Sequence, residues 1–234
     1  MFGFLSSIPA MTVTTLALAA ASIHAVQNYP PPFPRDGATK VLENESVVVW
    51  DVTWVKGKPT PMHQHVLGVV GVTLAPGTVR TTLPDGSTRE SEPDSVGAVS
   101  AGGKGMTHKE EGTSDTPQRA ILIEIKGAKK DPLTAPEGIG PAWPRDGASK
   151  VLENDQVIVW DYRFQKERPI PLHFHDKDTV VVELEPGATR SIPKDGAPTE
   201  TTWQGMRARF APRGRVHREE VVSGSPRGVI VEIK

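Results

Sequence analysis

Apolar positions along the chain recur mostly with a period of two, in short runs broken by turn signals. Val47 to Trp54, Gly68 to Leu74, Ile121 to Ile125, Val157 to Phe164, Val180 to Leu184 and Gly228 to Ile233 are the β-branched or apolar runs. Side chains two apart on a strand share a face, so runs of this kind predict strands. Turn dipeptides separate them at Pro76-Gly77, Asp85-Gly86, Gly102-Gly103, Pro186-Gly187 and Asp195-Gly196. No stretch of ten or more residues carries a capped helical pattern. Many short strands with regular turns predict an all-β sandwich or barrel.

The pattern occurs twice. Pro34 to Asp51 reads PRDGATKVLENESVVVWD, and Pro144 to Asp161 reads PRDGASKVLENDQVIVWD, 110 residues later. Only Thr39/Ser149, Glu45/Asp155, Ser46/Gln156 and Val48/Ile158 differ. The likeness persists at PTPMHQH against PIPLHFH, and the copies close alike on RAILIEIK and RGVIVEIK. A unit of about 100 residues is of domain size, not that of a solenoid repeat. The expected division is a first domain over 26–128, a proline-rich linker over 129–143 and a second domain over 144–234.

Composition narrows the function classes. The 22 glycines and 22 prolines suit a turn-rich chain, and a formal net charge of −1 offers no basic surface for a phosphate backbone, so nucleic acid is not an expected partner. Cysteine is absent, which removes disulfides, thiolate ligands and thiol nucleophiles together and leaves the redox compartment open. The first charged side chain is Arg35, and Met11 to Ala21 is an apolar run of signal-peptide length, too short to span a bilayer,. Small residues at Ala19-Ala20-Ala21 and Ile23-His24-Ala25 suit cleavage. The expectation is a leader over 1–25 and an exported protein, periplasmic or extracellular, with no membrane span once the leader is removed. The n-region carries no positive side chain, which weakens that pattern.

Seven histidines are present; His24 lies in the leader, and the others form two equivalent sets. These are His63, His65 and His108, then His173, His175 and His217. Residues i and i+2 of a strand project together, so a His-x-His pair can point two imidazoles into a barrel. A third from another strand completes a three-nitrogen face around a divalent metal, with positions left open. A lone His-x-His is more often a core or surface feature, and duplication makes the two sets dependent evidence. Iron is the metal an oxygenase would need; manganese, nickel, copper and zinc also suit imidazole.

These motifs resemble the cupin superfamily, and specifically a bicupin. Gly57, five residues and His63-Gln64-His65 fit the opening of the first cupin motif, and Gly77 fits its closing glycine. In the second copy His173-Phe174-His175 and Gly187 match, while Glu167 replaces the opening glycine. The second motif, Pro-x-Gly-x-x-His, is intact from Pro212 to His217 and degraded from Gly103 to His108. The resemblance implies two tandem jelly-roll-like β-barrels with metal sites. In that family a glutamate four or five residues after the pair usually completes the site. Here those positions are Val69 and Val70, then Thr179 and Val180. The chain is therefore similar to three-histidine cupins, which include iron-dependent oxygenases. It departs from the manganese-dependent, oxalate-decarboxylating bicupins.

Candidates for the missing carboxylate are Glu110 and Glu219, each two residues beyond the third histidine and on its face by strand alternation,. Each could be a distant ligand, a general base or an orienter of an imidazole N–H, against the plain alternative of a rim salt bridge. Arg207 and Arg209 replace Ala98 and Ser100. Facing inward they would clamp a carboxylate; facing outward they are ordinary surface charge. Trp50, Trp54, Trp160 and Phe164 read as core or interface, and Asp51 and Asp161 as residues that fix a turn or a strand end. No phosphate-binding loop and no Gly-x-Ser-x-Gly elbow is present,.

The expected function is that of a metal-dependent oxygenase, or a related isomerase or lyase, acting on a small organic anion. Glu219, Arg209 and Glu110 are the catalytic candidates. The second copy is favoured, for its intact motif and for Asp178, Arg209 and Glu219 around it. The alternatives are a non-catalytic exported protein that binds metal or a small ligand, and a pair in which one barrel is structural. A homodimer is compatible with any of these.

Overall fold

The computed structural model describes residues 28–127 and 130–234. The expected leader, with His24, lies outside the described residues. The first half contains β1 (Ala38–Glu43), β2 (Val47–Trp54), β3 (His63–Gln64), β4 (Gly68–Ala75), β5 (Val79–Thr82), β6 (Thr88–Glu90), β7 (Val99–Gly102), β8 (Thr107–Gly112) and β9 (Gln118–Ile125). The second contains β10 (Gly140–Pro141), β11 (Ser149–Glu153), β12 (Val157–Arg163), β13 (Ile170–Phe174), β14 (Asp178–Pro193), β15 (Thr199–Trp203), β16 (Arg207–Ala211) and β17 (Val216–Ile233). Among the described residues no helix is long and apolar enough to cross a membrane.

In the first half a five-stranded sheet, ordered β1-β2-β9-β4-β7, faces a four-stranded sheet, ordered β3-β8-β5-β6. The second half makes the same two layers with fewer breaks. There β14 runs through the region of β4 and β5, and β17 through that of β8 and β9, so both long strands serve both layers. Pro186-Gly187, read from sequence as a turn, lies inside β14, where the register with β17 shifts twice between Glu183 and Gly187. A bulge therefore stands where the first half ends β4 at Ala75 and begins β5 at Val79,.

The sheets explain why several runs lose their alternation. In β2, Val47 and Val49 face one way, and Val48, Trp50, Val52 and Trp54 face the other; all are buried. The first face packs with Val70, Val72, Ile121 and Ile123 against Val157, Val159, Val180, Val182, Val229 and Val231 of the other half. The second face fills the interior of its own barrel with Phe33 and Trp50 stacked at 4.6 Å. Strands covered on both sides read as near-continuous apolar runs. Each fully buried valine or isoleucine contributes about 1.5–3 kcal/mol by area, so the join between the halves is itself a hydrophobic core.

Polar contacts at the join follow the repeat. Ser46 Oγ donates to Asp178 Oδ2 at 3.0 Å. The equivalent pair on the other side is Gln156 against Gly68, with the longer amide filling the space the glycine leaves. Asp178 also accepts from Lys130 Nζ at 2.6 Å and from the Arg213 backbone N–H at 2.9 Å. Asp178, expected beside the second histidine set, is thus a tie between the halves instead. Asp51 and Asp161 do not fix turns either. Each receives a two-pronged bond from the arginine on the neighbouring strand, Arg119 at 2.9 and 2.6 Å and Arg227 at 3.1 and 2.7 Å.

Candidate metal centres

Strand pairing brings each third histidine beside the first of its pair. His63 on β3 is opposite His108 on β8, and His173 on β13 is opposite His217 on β17. His65 and His175 follow their strands and are held from behind by the turn that precedes the third histidine. The Gly105 N–H donates to His65 O and the Gly214 N–H to His175 O, each at 2.7 Å. In return the His65 and His175 N–H groups donate to Met106 O and Arg215 O, each at 2.9 Å. Gly105 and Gly214 have φ of 91° and 87°, a backbone that side-chain-bearing residues rarely adopt. This is the physical reason for the glycine in both copies, including the one whose proline is lost.

All six imidazoles are buried, and each set of three brings its ring nitrogens within 4.8 Å of one another. The Nε2 atoms of His65 and His108 are 3.3 Å apart; those of His175 lie 3.1 Å from His173 and 2.9 Å from His217. His63 Nδ1 is 2.9 Å from Pro61 O and His173 Nδ1 is 2.8 Å from Pro171 O. A carbonyl only accepts, so these Nδ1 atoms carry the proton and their Nε2 atoms present a lone pair. His217 Nδ1 is bonded to Ser191 Oγ, a hydroxyl that can give or take the proton,. Burial pushes every one of these rings below the ordinary imidazole value, His65 and His217 to about 4. Neutral rings with inward Nε2 lone pairs are the form that ligates a divalent ion, and the donor set fits one.

The position four residues after each pair, where the resemblance noted above implies a glutamate, is Val69 in the first barrel and Thr179 in the second, both on cavity walls. Val70 and Val180 belong to the join between the halves. A carboxylate does approach each set from another strand. Glu110 Oε1 is 3.7 Å from His108 Nε2, and Glu219 Oε2 is 3.7 Å from His173 Nε2. Neither is a rim salt bridge. Glu110 accepts from Arg35 Nη2 at 3.1 Å and Trp54 Nε1 at 2.8 Å, and Glu219 from Arg145 Nη1 at 3.1 Å, with all four charged side chains largely buried. Burial opposes ionisation of both carboxyls, but the facing arginine, helped at Glu110 by the Trp54 indole N–H, outweighs it and holds them below the ordinary glutamate value.

Arg35 and Arg145 were not among the candidates from sequence, although they sit in the identical Pro-Arg-Asp-Gly of both repeats. The signal was there. In the first copy Gly37 has φ of 75°, and a Cβ on it would meet Thr53 O at 2.6 Å. That tight return sends the chain past the barrel mouth and lets Arg35 reach in. Arg145 is braced by a ring instead, its guanidinium 3.9 Å from the centroid of Trp143,.

The two cavities differ. The first has a volume of about 290 Å³ and the second about 80 Å³. Val69, Ser100 and Met106 line the first where Thr179, Arg209 and Arg215 line the second. Arg209 thus faces inward, but Nε donates to the fully buried Glu183 at 3.2 Å and the guanidinium lies 5.2 Å from the Trp203 ring centroid. Arg207 Nε bonds the same carboxylate at 2.8 Å. Arg209 is a filled part of the wall, and with Arg215 and Trp203 it accounts for the smaller space.

No family model matches the sequence, and no curated protein matches it significantly. Solved structures do match the fold. A cupin 2 conserved barrel domain protein from Leptotrichia buccalis superposes with a TM-score of 0.55 at 12% identity, over 84% of this chain and 88% of that one. AerE from Microcystis aeruginosa gives 0.57 at 11%, over 88% and 99%. Bacillus subtilis oxalate decarboxylase, from work on its Mn(II) centres, gives 0.55 at 10%, over 81% and 69%. Two β-barrels in tandem, each with three convergent imidazoles at its interior, define a double-barrelled protein suited to divalent metal. The barrels have the cupin fold, and the chain has the tandem arrangement of a bicupin, with two three-histidine clusters.

Proposed function

We propose that the chain is a metal-dependent enzyme acting on a small organic anion, as an oxygenase or a related isomerase or lyase. The observation that carries this reading is the convergence of three imidazoles in each barrel, with His63, His65 and His108 lining the first cavity and His175 and His217 the second. His63, His65 and His108 would hold one ion, and His173, His175 and His217 the other. When bound, a divalent ion supplies Lewis acidity and, if it is iron, the redox capacity for reaction with dioxygen. Three neutral ligands leave its charge uncompensated, which favours an anionic partner.

The chain's own residues supply the rest. Glu110 and Glu219 stand at the rim of each ligand set as ionised carboxylates, positioned to accept a proton from a substrate or an ordered water. Arg35 and Arg145 fix their orientation and keep them ionised. Trp50, Trp54, Trp160 and Phe164 wall the interiors and exclude water,.

Metal analysis by mass spectrometry, on protein purified without a histidine tag, tests the proposal. About one ion should be lost in His63→Ala/His65→Ala and another in His173→Ala/His175→Ala. Oxygen uptake and product analysis with small acids, thiols and diketones should then give turnover that follows metal content. Wild-type protein that takes up no metal on reconstitution would overturn the reading and leave the alternative of a small-ligand-binding barrel.

A further inference from the structure

The two barrels arose from one sequence, yet their cavities have diverged at the positions nearest the histidines. Two residues before the third histidine, Arg215 lines the second cavity where Met106 lines the first. Four residues after the His-x-His pair, Thr179 replaces Val69. Both changes add hydrogen-bond donors to the smaller space.

Those donors are not used up by the protein. Arg209 is spent on Glu183, and Arg145 gives Nη1 to Glu219. Arg215 bonds only a carbonyl, Nε to Pro212 O at 2.7 Å, and among the described residues no carboxylate is within salt-bridge distance of it. Thr179, 1% exposed, has an Oγ1 with no partner, and so has Arg145 Nη2; both are buried and both residues line this cavity. Buried polar atoms are almost always bonded, so two orphans beside an unneutralised guanidinium are an exception that calls for a ligand. All are donors or can donate, and guanidinium groups match a carboxylate in shape and charge.

We propose that the second cavity is a site for a small carboxylate, bound by Arg215 with Thr179 Oγ1 and Arg145 Nη2. The first cavity is larger and has Met106 and Val69 at the matching positions, so it lacks the Arg215 and Thr179 donors, although Arg35 Nε and Nη1 are unpartnered there. The proposal rests on the metal reading only in placing the carboxylate beside the ion held by His173, His175 and His217. A volume of about 80 Å³ limits the ligand to a few heavy atoms, the scale of formate or acetate. The arginine two residues before the third histidine is thus the specificity residue that separates the two halves of the molecule.

Calorimetric titration with acetate, and with acetamide as the uncharged isostere, tests this on the full chain, both metal-free and cobalt-loaded. Acetate should bind at one site per chain and acetamide should not. Arg215→Met and Thr179→Val each restore the residue the first barrel already tolerates. The arginine change should weaken acetate binding at least tenfold, the threonine change by less. Arg215→Lys, which keeps the charge in a fold-compatible form, should fall between wild type and Arg215→Met. His63→Ala/His65→Ala should leave acetate binding intact. Acetate binding absent from wild type in both states, or undiminished in Arg215→Met, would overturn the proposal. Failure to take up cobalt would count against the metal reading alone, since the metal-free titration still reads the carboxylate site.

Discussion

Arg145 donates through Nη1 to Glu219 at 3.1 Å, joining the segment that enters the second barrel to the strand that carries its third histidine. The pair is buried, and Trp143 stacks on the arginine. Removing one partner from such a pair strands the other charge in a low dielectric, which costs about 3–5 kcal/mol. Arg145→Met should therefore lower stability to urea by an amount of that order. The double change Arg145→Met/Glu219→Gln should recover most of it, because no charge is left unpaired. Equal losses in the single and double variants would mean that packing on Trp143, and not the ion pair, is what the arginine supplies.

Two other buried carboxyls act in the opposite direction. Glu124 accepts from Trp50 Nε1 and Glu232 from Trp160 Nε1, each at 2.8 Å. Burial pushes both pKa values up, and the tryptophan bonds only partly offset this. The folded state therefore holds these protons more tightly than the unfolded chain does. The stabilisation is full below the ordinary glutamate value of 4.5 and is lost as pH rises through the raised one,. Glu124→Gln/Glu232→Gln keeps an acceptor for each indole and removes the ionisation. Melting curves should show the variant gaining on wild type at pH 7 and losing that gain near pH 4. A gain that does not vary with pH would rule out titration as its source.

Metal should act on stability as well as on chemistry. A ligand that binds only the folded state stabilises it by about 2.7 kcal/mol at a hundredfold excess over its dissociation constant. Zinc or cobalt added to chelator-treated protein should raise the melting temperature. His173→Ala/His175→Ala should keep only the part due to the first site. If wild type and a variant lacking both His-x-His pairs shift equally, the ion is binding elsewhere on the surface.

Much of this was legible in the sequence, for identifiable reasons. The strands at the join were visible because burial on both faces makes them apolar throughout, as in VVVW and VIVW. The six histidines were visible because the duplication repeats them at constant spacing. The edge strands Ala38–Glu43 and Ser149–Glu153 were hidden, since ATKVLE and SKVLE put charge on exposed faces. Thr107–Gly112 shows no apolar alternation, since the inward face of THKEEG is polar for the sake of the site, and only its histidine marked it as a strand. Arg209 could not be placed from spacing alone: strand alternation gives its face, but only packing shows that Glu183, 26 residues earlier, is waiting for it. Arg35 and Arg145 lie far along the chain from the glutamates they hold, 75 and 74 residues away, so no local pattern could connect them.

The shared core between the barrels makes a prediction about cooperativity. Ile123 is fully buried in the first half, on the strand face that meets the second. Truncation at such a site costs about 2–5 kcal/mol through lost transfer energy and the cavity left behind. If each barrel stood alone, Ile123→Ala would unfold the first at lower denaturant and leave the second unmoved. The valines and isoleucines of the join are instead buried by one another across the two halves, so neither half keeps its outer face covered when the other opens. Fluorescence, with tryptophans in both interiors, and circular dichroism should therefore report one coincident transition in wild type, shifted as a whole in Ile123→Ala. Two separated transitions in the variant would mean that each barrel interior, and not the join, sets the stability of its half.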